Sequence, residues 1–136
     1  GDKMDLPYNV YITEEDVLKR GYSLKDSLAV DDQGEISKTV DAFLTEVASS
    51  VYNLVLDLTK DTGIATAICQ SVNYSNDIAY AQLEQAVYIL ENGNLLATSG
   101  EGTQLTLEDI RGQKAYSAIA YNHLKNTLKY LFGGIC

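Results

Sequence analysis

The chain has 136 residues, 46% of them hydrophobic and 21% charged, with one proline and a formal net charge of −9. That length and apolar fraction suit one domain with one buried core, and exclude a disordered tail or two full domains. The excess of acid disfavours a sequence-independent grip on a phosphate backbone, which needs clustered positive charge.

The acid is spread unevenly. Net charge is −5 over residues 1–35, −2 over 36–62, −4 over 63–105 and +2 over 106–136. In a monomer such a split is first read as chance; in a head-to-tail assembly a basic face meeting a neighbour's acidic face would favour register and speed encounter.

Gly1-Asp2-Lys3 ahead of Met4 reads as an added leader and is left out of the fold argument. A first short helix is predicted from Thr13, whose hydroxyl can accept from a free backbone N–H, followed by Glu14, Glu15 and Asp16 at the positive end of the helix dipole. Gly21 supplies its stop, and the mixed run from Gly21 to Gly34 reads as a loop. Apolar residues at Ile36, Val40, Phe43, Leu44, Val47, Val51, Leu54, Val55 and Leu58 then predict a long amphipathic helix, with Gly63 as its left-handed cap. Ile64 to Val72 fits a short helix or a strand equally well.

Ser75-Asn76-Asp77 predicts the start of a third helix carrying Ile78, Ala79, Leu83, Ala86, Val87 and Leu90 as far as a cap at Gly93. Asn94 to Gln104 reads as a loop or a small hairpin. The last helix opens at Thr106-Leu107-Glu108-Asp109, a capping box with Asp in place of Glu, and Gly112 is where it kinks or restarts. Gly133-Gly134 then frees a flexible tail, 133–136. The expected fold is all-α: one small helical bundle of three long helices plus a short N-terminal helix.

Chemistry is sparse. His123 is the single histidine, and its expected place is a satisfied position on a helix; a pair with Cys69 has no sequence signature. Cys69 and Cys136 are too few and too far apart for a disulfide framework or a metal knuckle, and read as free thiols of a reducing compartment. Asp31, Asp32 and Glu35 lack the alternating ligands and central glycine of a calcium loop, so a solvated acidic turn is expected. Gly93, Gly100 and Gly102 have no following Lys-Ser or Lys-Thr, so no phosphate cradle is specified. No enzyme, cofactor or metal is expected. No apolar run approaches the roughly 20 residues that span a bilayer, so no membrane partner is expected either. Ten tyrosines against two phenylalanines and no tryptophan either edge an ordinary core or line an interface, since Tyr joins an apolar ring to a polar tip.

The run Ala81-Gln82-Leu83-Glu84-Gln85-Ala86-Val87-Tyr88-Ile89-Leu90-Glu91-Asn92-Gly93, a Gly-bearing connector and a helix ending Leu128-Lys129-Tyr130-Leu131-Phe132-Gly133-Gly134 together resemble the small head–tail connector (adaptor) proteins of tailed bacteriophages and prophages. The early Thr13-Glu14-Glu15-Asp16-Val17-Leu18 segment before a long amphipathic helix is similar to that family's start. The resemblance implies an all-α, non-enzymatic virion protein, assembled in the host cytoplasm as a ring between portal and tail. Its partners would be the portal protein and the tail-side connector proteins, with no sequence-specific nucleic acid. Its portal-docking residues would be Tyr130, Leu131, Phe132 and Ile135. A channel lined by acid would let DNA pass without sticking. The alternative is a small acidic regulatory or immunity-type module that masks a basic partner.

Overall fold

The computed structural model describes residues 6–96 and 104–131. Seven α-helices run through these residues: α1 Glu14–Lys19, α2 Leu24–Ser27, α3 Ile36–Thr59, α4 Thr62–Gln70, α5 Ser75–Leu96, α6 Leu107–Gly112 and α7 Ala118–Leu131. The described residues contain no β-strand, only one parallel bridge, so the fold is all-α.

Local chemistry sets the helix ends. Thr13 accepts from the Asp16 N–H while the Asp16 carboxylate accepts from the Thr13 N–H, a capping box that starts α1. Gly21, at φ +96°, turns the chain out of it. Thr106 and Asp109 repeat the box at α6, so Asp serves there in place of the longer acid.

Several expected boundaries move. The run after Gly21 contains the one-turn helix α2 as well as loop. The left-handed residue that ends α3 is Lys60, at φ 58°, and not Gly63, which lies in the first turn of α4. Asp61 explains the shift: its side chain accepts from the Ile64 N–H and starts a new helix immediately. Ser71 caps a 3-10 turn, Val72–Tyr74, that leads straight into α5. Gly93 does not end α5, which continues through Asn94–Leu96. The last helix does break at Gly112, the position read as a kink or restart: α6 ends there and α7 begins after 113–117. Residues 97–103 and the expected tail, 133–136, lie outside the described residues. No hairpin is present in the described part of that connector; Leu105 bridges instead to Leu28, with Ala29 donating to Leu105 and Leu105 to Ser27, both at 2.8 Å.

The apolar stripe of α3 feeds two cores in succession. Val40, Phe43 and Val47 meet Val17, Leu24, Leu28, Leu105, Ile110 and Ile89 in the first. Val51, Leu54 and Val55 meet Ala65, Ile68, Ile78, Ala120, Leu124 and Leu128 in the second. Each large side chain so buried contributes about 1.5–3 kcal/mol.

The helix at the centre is α5, which enters both cores. Ala81, Gln82, Glu84, Gln85, Ala86, Val87, Ile89 and Leu90 are all buried, on nearly every side of it. Buried polar groups must be hydrogen-bonded, and each of the three here reaches a different segment. Gln82 donates from Nε2 to the Asn9 carbonyl and accepts at Oε1 from the Tyr11 N–H, both at 2.8 Å. Gln85 does the same to the lead-in of α7, donating to the Ala115 carbonyl at 3.0 Å and accepting from the Ser117 N–H at 2.7 Å. Each amide thus bonds the carbonyl of one residue and the N–H two residues on, the pattern of a residue in a neighbouring parallel strand. This clamp ties the non-helical 113–117 segment to α5. Glu84 takes Arg20 at the end of α1 in a two-pronged ion pair, with contacts of 2.6 and 3.4 Å.

Gly93 is a packing residue. A Cβ there would stand 2.5 Å from Leu105 Cδ2, and Leu105 is itself buried. Gly93→Ala should therefore destabilise by about 1–3 kcal/mol from overpacking, despite Ala's helix preference of about 1 kcal/mol over Gly. In a Leu105→Ala background the same change should become stabilising. Urea unfolding of the four proteins checks the change of sign.

Candidate functional site

The ten tyrosines are mostly spent on the interior. Tyr8, Tyr11, Tyr52, Tyr74 and Tyr116 pack against the second core and Tyr22 against the first. Three of these hydroxyls bond close by: Tyr11 donates to the Cys69 carbonyl at 3.2 Å, Tyr52 pairs with Thr66 Oγ1 at 3.3 Å, and Tyr22 donates to Glu91 at 2.7 Å. The Glu91 hydrogen bond holds the Tyr22 hydroxyl above its ordinary pKa. Tyr80 and Tyr121 remain exposed, at 41% and 37%.

His123 lies in α7 and places Nε2 2.9 Å from Asp77 Oδ1 in the first turn of α5, with its ring 4.7 Å from that of Tyr80. It is therefore a helix-to-helix tie, a satisfied histidine. Cys69 sits fully buried in the second core, where desolvation pushes its thiol up to about 12. A thiol that cannot ionise near neutral pH is a poor nucleophile. Asp31 uses Oδ1 to accept from the N–H groups of Gln33 and Glu35, so its carboxylate shapes a turn. No group of three His, Cys, Asp or Glu residues placed to hold a metal ion occurs among the described residues.

Clefts open on the surface of the described residues, three of them relevant to a site. The first, of about 280 Å³, lies over α5 between Arg20, just past α1, and Ile119 of α7, and is lined by Glu84, Tyr88 and Glu91. The second, of about 360 Å³, separates α3 from the non-helical 113–116 segment. Two contacts bridge it: Arg111 Nε to Glu46 at 3.1 Å, and the Tyr116 hydroxyl to Asp57 at 2.9 Å. Burial first, and that hydrogen bond second, push Tyr116 up to about 12. The third, of about 440 Å³, lies between residues 29–32 and α6 and combines Ala29, Val30 and Leu107 with Asp31, Asp32 and Glu108.

The stripe Ala120, Leu124, Leu128 seats α7 on the second core. Its outward residues Ile119, Asn122, Lys125, Asn126 and Lys129 are exposed, and α7 contains no acid. Of the four residues expected to dock a partner, Tyr130 and Leu131 are the last two of α7, whereas Phe132 and Ile135 lie outside the described residues. Sequence reasoning missed the acidic cleft and the clamps. Val30 falls in a run without periodicity, and Gln82 and Gln85 resemble surface residues unless the helix is first recognised as buried all round.

Comparison with known proteins adds no relative: no family model, no curated protein and no solved structure matches the chain.

The buried Cys69 thiol gives the fold a measurable pH dependence. In the unfolded chain it ionises near its ordinary pKa of 9.0, in the folded one only near 12. Both states hold the proton below pH 9, and above it the unfolded chain loses the proton first, so stability falls as pH rises. Between pH 9 and 12 this group should cost roughly 1 kcal/mol per pH unit. Urea unfolding of Cys69→Ala across that range should show a shallower decline than the parent. An equal slope would mean that Cys69 ionises freely in the folded protein.

Proposed function

We propose that the protein is a non-enzymatic assembly subunit of the head–tail connector kind, acting as a ring between a portal and a tail. The observation that supports this reading is α7. It is a basic helix without acids, on an otherwise acidic chain, and it is seated on the second core with one side, Ile119, Asn122, Lys125, Asn126 and Lys129, exposed. Such a helix is suited to meeting another surface, because opposite charge steers encounter and fixes orientation. The resemblance in the Ala81–Gly93 run and in the Leu128–Gly134 ending points the same way. On this reading Tyr130, Leu131, Phe132 and Ile135 contact the portal, and the site of action is the virion.

A small acidic module that masks a basic partner is the second reading, favoured by the cleft that places Asp31, Asp32 and Glu108 around Val30.

The test is to mix the protein with the portal encoded in the same genome and image the product. A ring of the protein on the tail-proximal face of the portal is expected. Phe132→Asp should abolish that docking while leaving the helical circular dichroism signal intact. Failure to bind a portal that still accepts its tail would overturn the reading.

A further inference from the structure

The 110–116 segment is tied to α3 at two points and leaves a gap between them. Glu46, Ser49, Ser50, Asn53 and Asp57 lie on one face of α3, at the spacing of successive turns. At one end of this face Arg111 Nε donates to Glu46 at 3.1 Å, and at the other the Tyr116 hydroxyl donates to Asp57 at 2.9 Å. From residue 46 to residue 57 the helix rises about 16 Å. Between the two ties the cleft of about 360 Å³ stays open. That volume lies within the roughly 300–1,000 Å³ of small-molecule sites. The far wall is anchored elsewhere: Gln85 of α5 bonds Ala115 and Ser117, Ile110 is buried in the first core, and Tyr116 packs against the second. The cleft is therefore preformed.

Its middle is lined by polar groups that the protein itself does not use. Among the described residues, the side chains of Ser49, Ser50, Asn53, Gln113 and Lys114 make no hydrogen bond or ion pair. Ser49, Ser50 and Gln113 are nevertheless half-buried. Hydroxyls and carboxamides both donate and accept. The two acids keep an oxygen each for a further donor, because Arg111 takes only Oε1 of Glu46 and Tyr116 only Oδ2 of Asp57.

Charge narrows the choice of ligand. On a chain of net charge −9, the acids of this cleft, Glu46 and Asp57, are balanced by Arg111 and Lys114. An anion or a cation would add an uncompensated charge to that balance. A neutral molecule rich in hydroxyls adds none, and its groups donate and accept as those of the lining do. Leu56 and the Tyr116 ring, both half-buried, supply apolar surface for the C–H face of a ring.

We infer that this cleft binds a neutral sugar of one or two rings, held by Ser49, Ser50 and Asn53 on one wall and by Gln113 and Lys114 on the other. The tie at each end limits the length of the ligand. The inference stands apart from the assembly reading above, which rests on α7, and no residue of this cleft belongs to α7.

The test is proton–nitrogen correlation NMR of the protein titrated with glucose, galactose, mannose, N-acetylglucosamine, maltose and lactose, with glucuronate and galacturonate as charged comparisons. At least one neutral sugar should shift the amide signals of residues 49–53 and 113–114, with a Kd of about 1 mM or tighter. Both uronates should bind at least about tenfold more weakly than the best neutral sugar. Ser50→Leu fills the cleft and should raise the Kd at least about tenfold. Asn53→Ala, at an exposed position, removes one amide and should raise it about two- to tenfold while leaving urea unfolding unchanged. Asp32→Ala, in a different cleft, should leave it as in the parent. No shift with any neutral sugar, shifts confined to other surfaces, tighter binding of a uronate, or binding indifferent to both Ser50→Leu and Asn53→Ala would each overturn the assignment.

Discussion

A helix surrounded by protein on nearly every side has no water to satisfy its polar side chains, and α5 carries three of them in its most buried stretch. Leaving such groups unpaired costs about 1–3 kcal/mol each, and more for a charge. The bundle is arranged so that none is left. Gln82 takes the extended segment before α1, Glu84 takes the end of α1 through Arg20, and Gln85 takes the lead-in of α7. Hydrophobic burial holds the helices together but is nondirectional. These hydrogen bonds are directional, and they fix which residue of each segment lies at which turn of α5. Gln85 in particular ties down a feature that helix propensity alone would not produce, the non-helical break between α6 and α7. The break positions α7 to run back along α5, where His123 meets Asp77.

Much of the architecture was legible in the residue pattern, for reasons that are local. The stripe from Val40 to Val55 has one buried side, so its period identifies α3 directly. Thr13 with Asp16 and Thr106 with Asp109 announce their helices because a cap is a contact three residues long. The misplaced features depend on contacts far away in sequence. Gly93 has the form of a helix end, but its meaning comes from Leu105 packed where a side chain would stand. Gly63 was the natural candidate for a left-handed cap until Asp61 began a helix beneath it and moved that conformation to Lys60. The roles of Gln82, Glu84 and Gln85 are hidden because the period of a helix does not reveal whether its polar side faces water or protein.

The same division holds for the surface. Six of the ten tyrosines, conspicuous in the composition, edge the two cores, and four of these bond a nearby oxygen through the hydroxyl. The segmental charge proved the more informative quantity. The exposed side of α7 and the acid around Val30 turn a difference in composition between parts of the chain into two separate faces. Tyr130 and Leu131 are the last two residues of α7.

The central claim is that α5 organises the bundle through its buried amides. Native-state hydrogen exchange of the Tyr11 and Ser117 amides tests it most directly, because each N–H donates to one of the two glutamines. In the parent both should exchange far more slowly than an exposed loop amide. Gln85→Ala should speed exchange at Ser117 while sparing Tyr11, and Gln82→Ala should do the reverse, each variant losing about 2–3 kcal/mol of stability. Fast exchange of both amides in the parent, or substitutions that leave exchange and stability unchanged, would contradict the account.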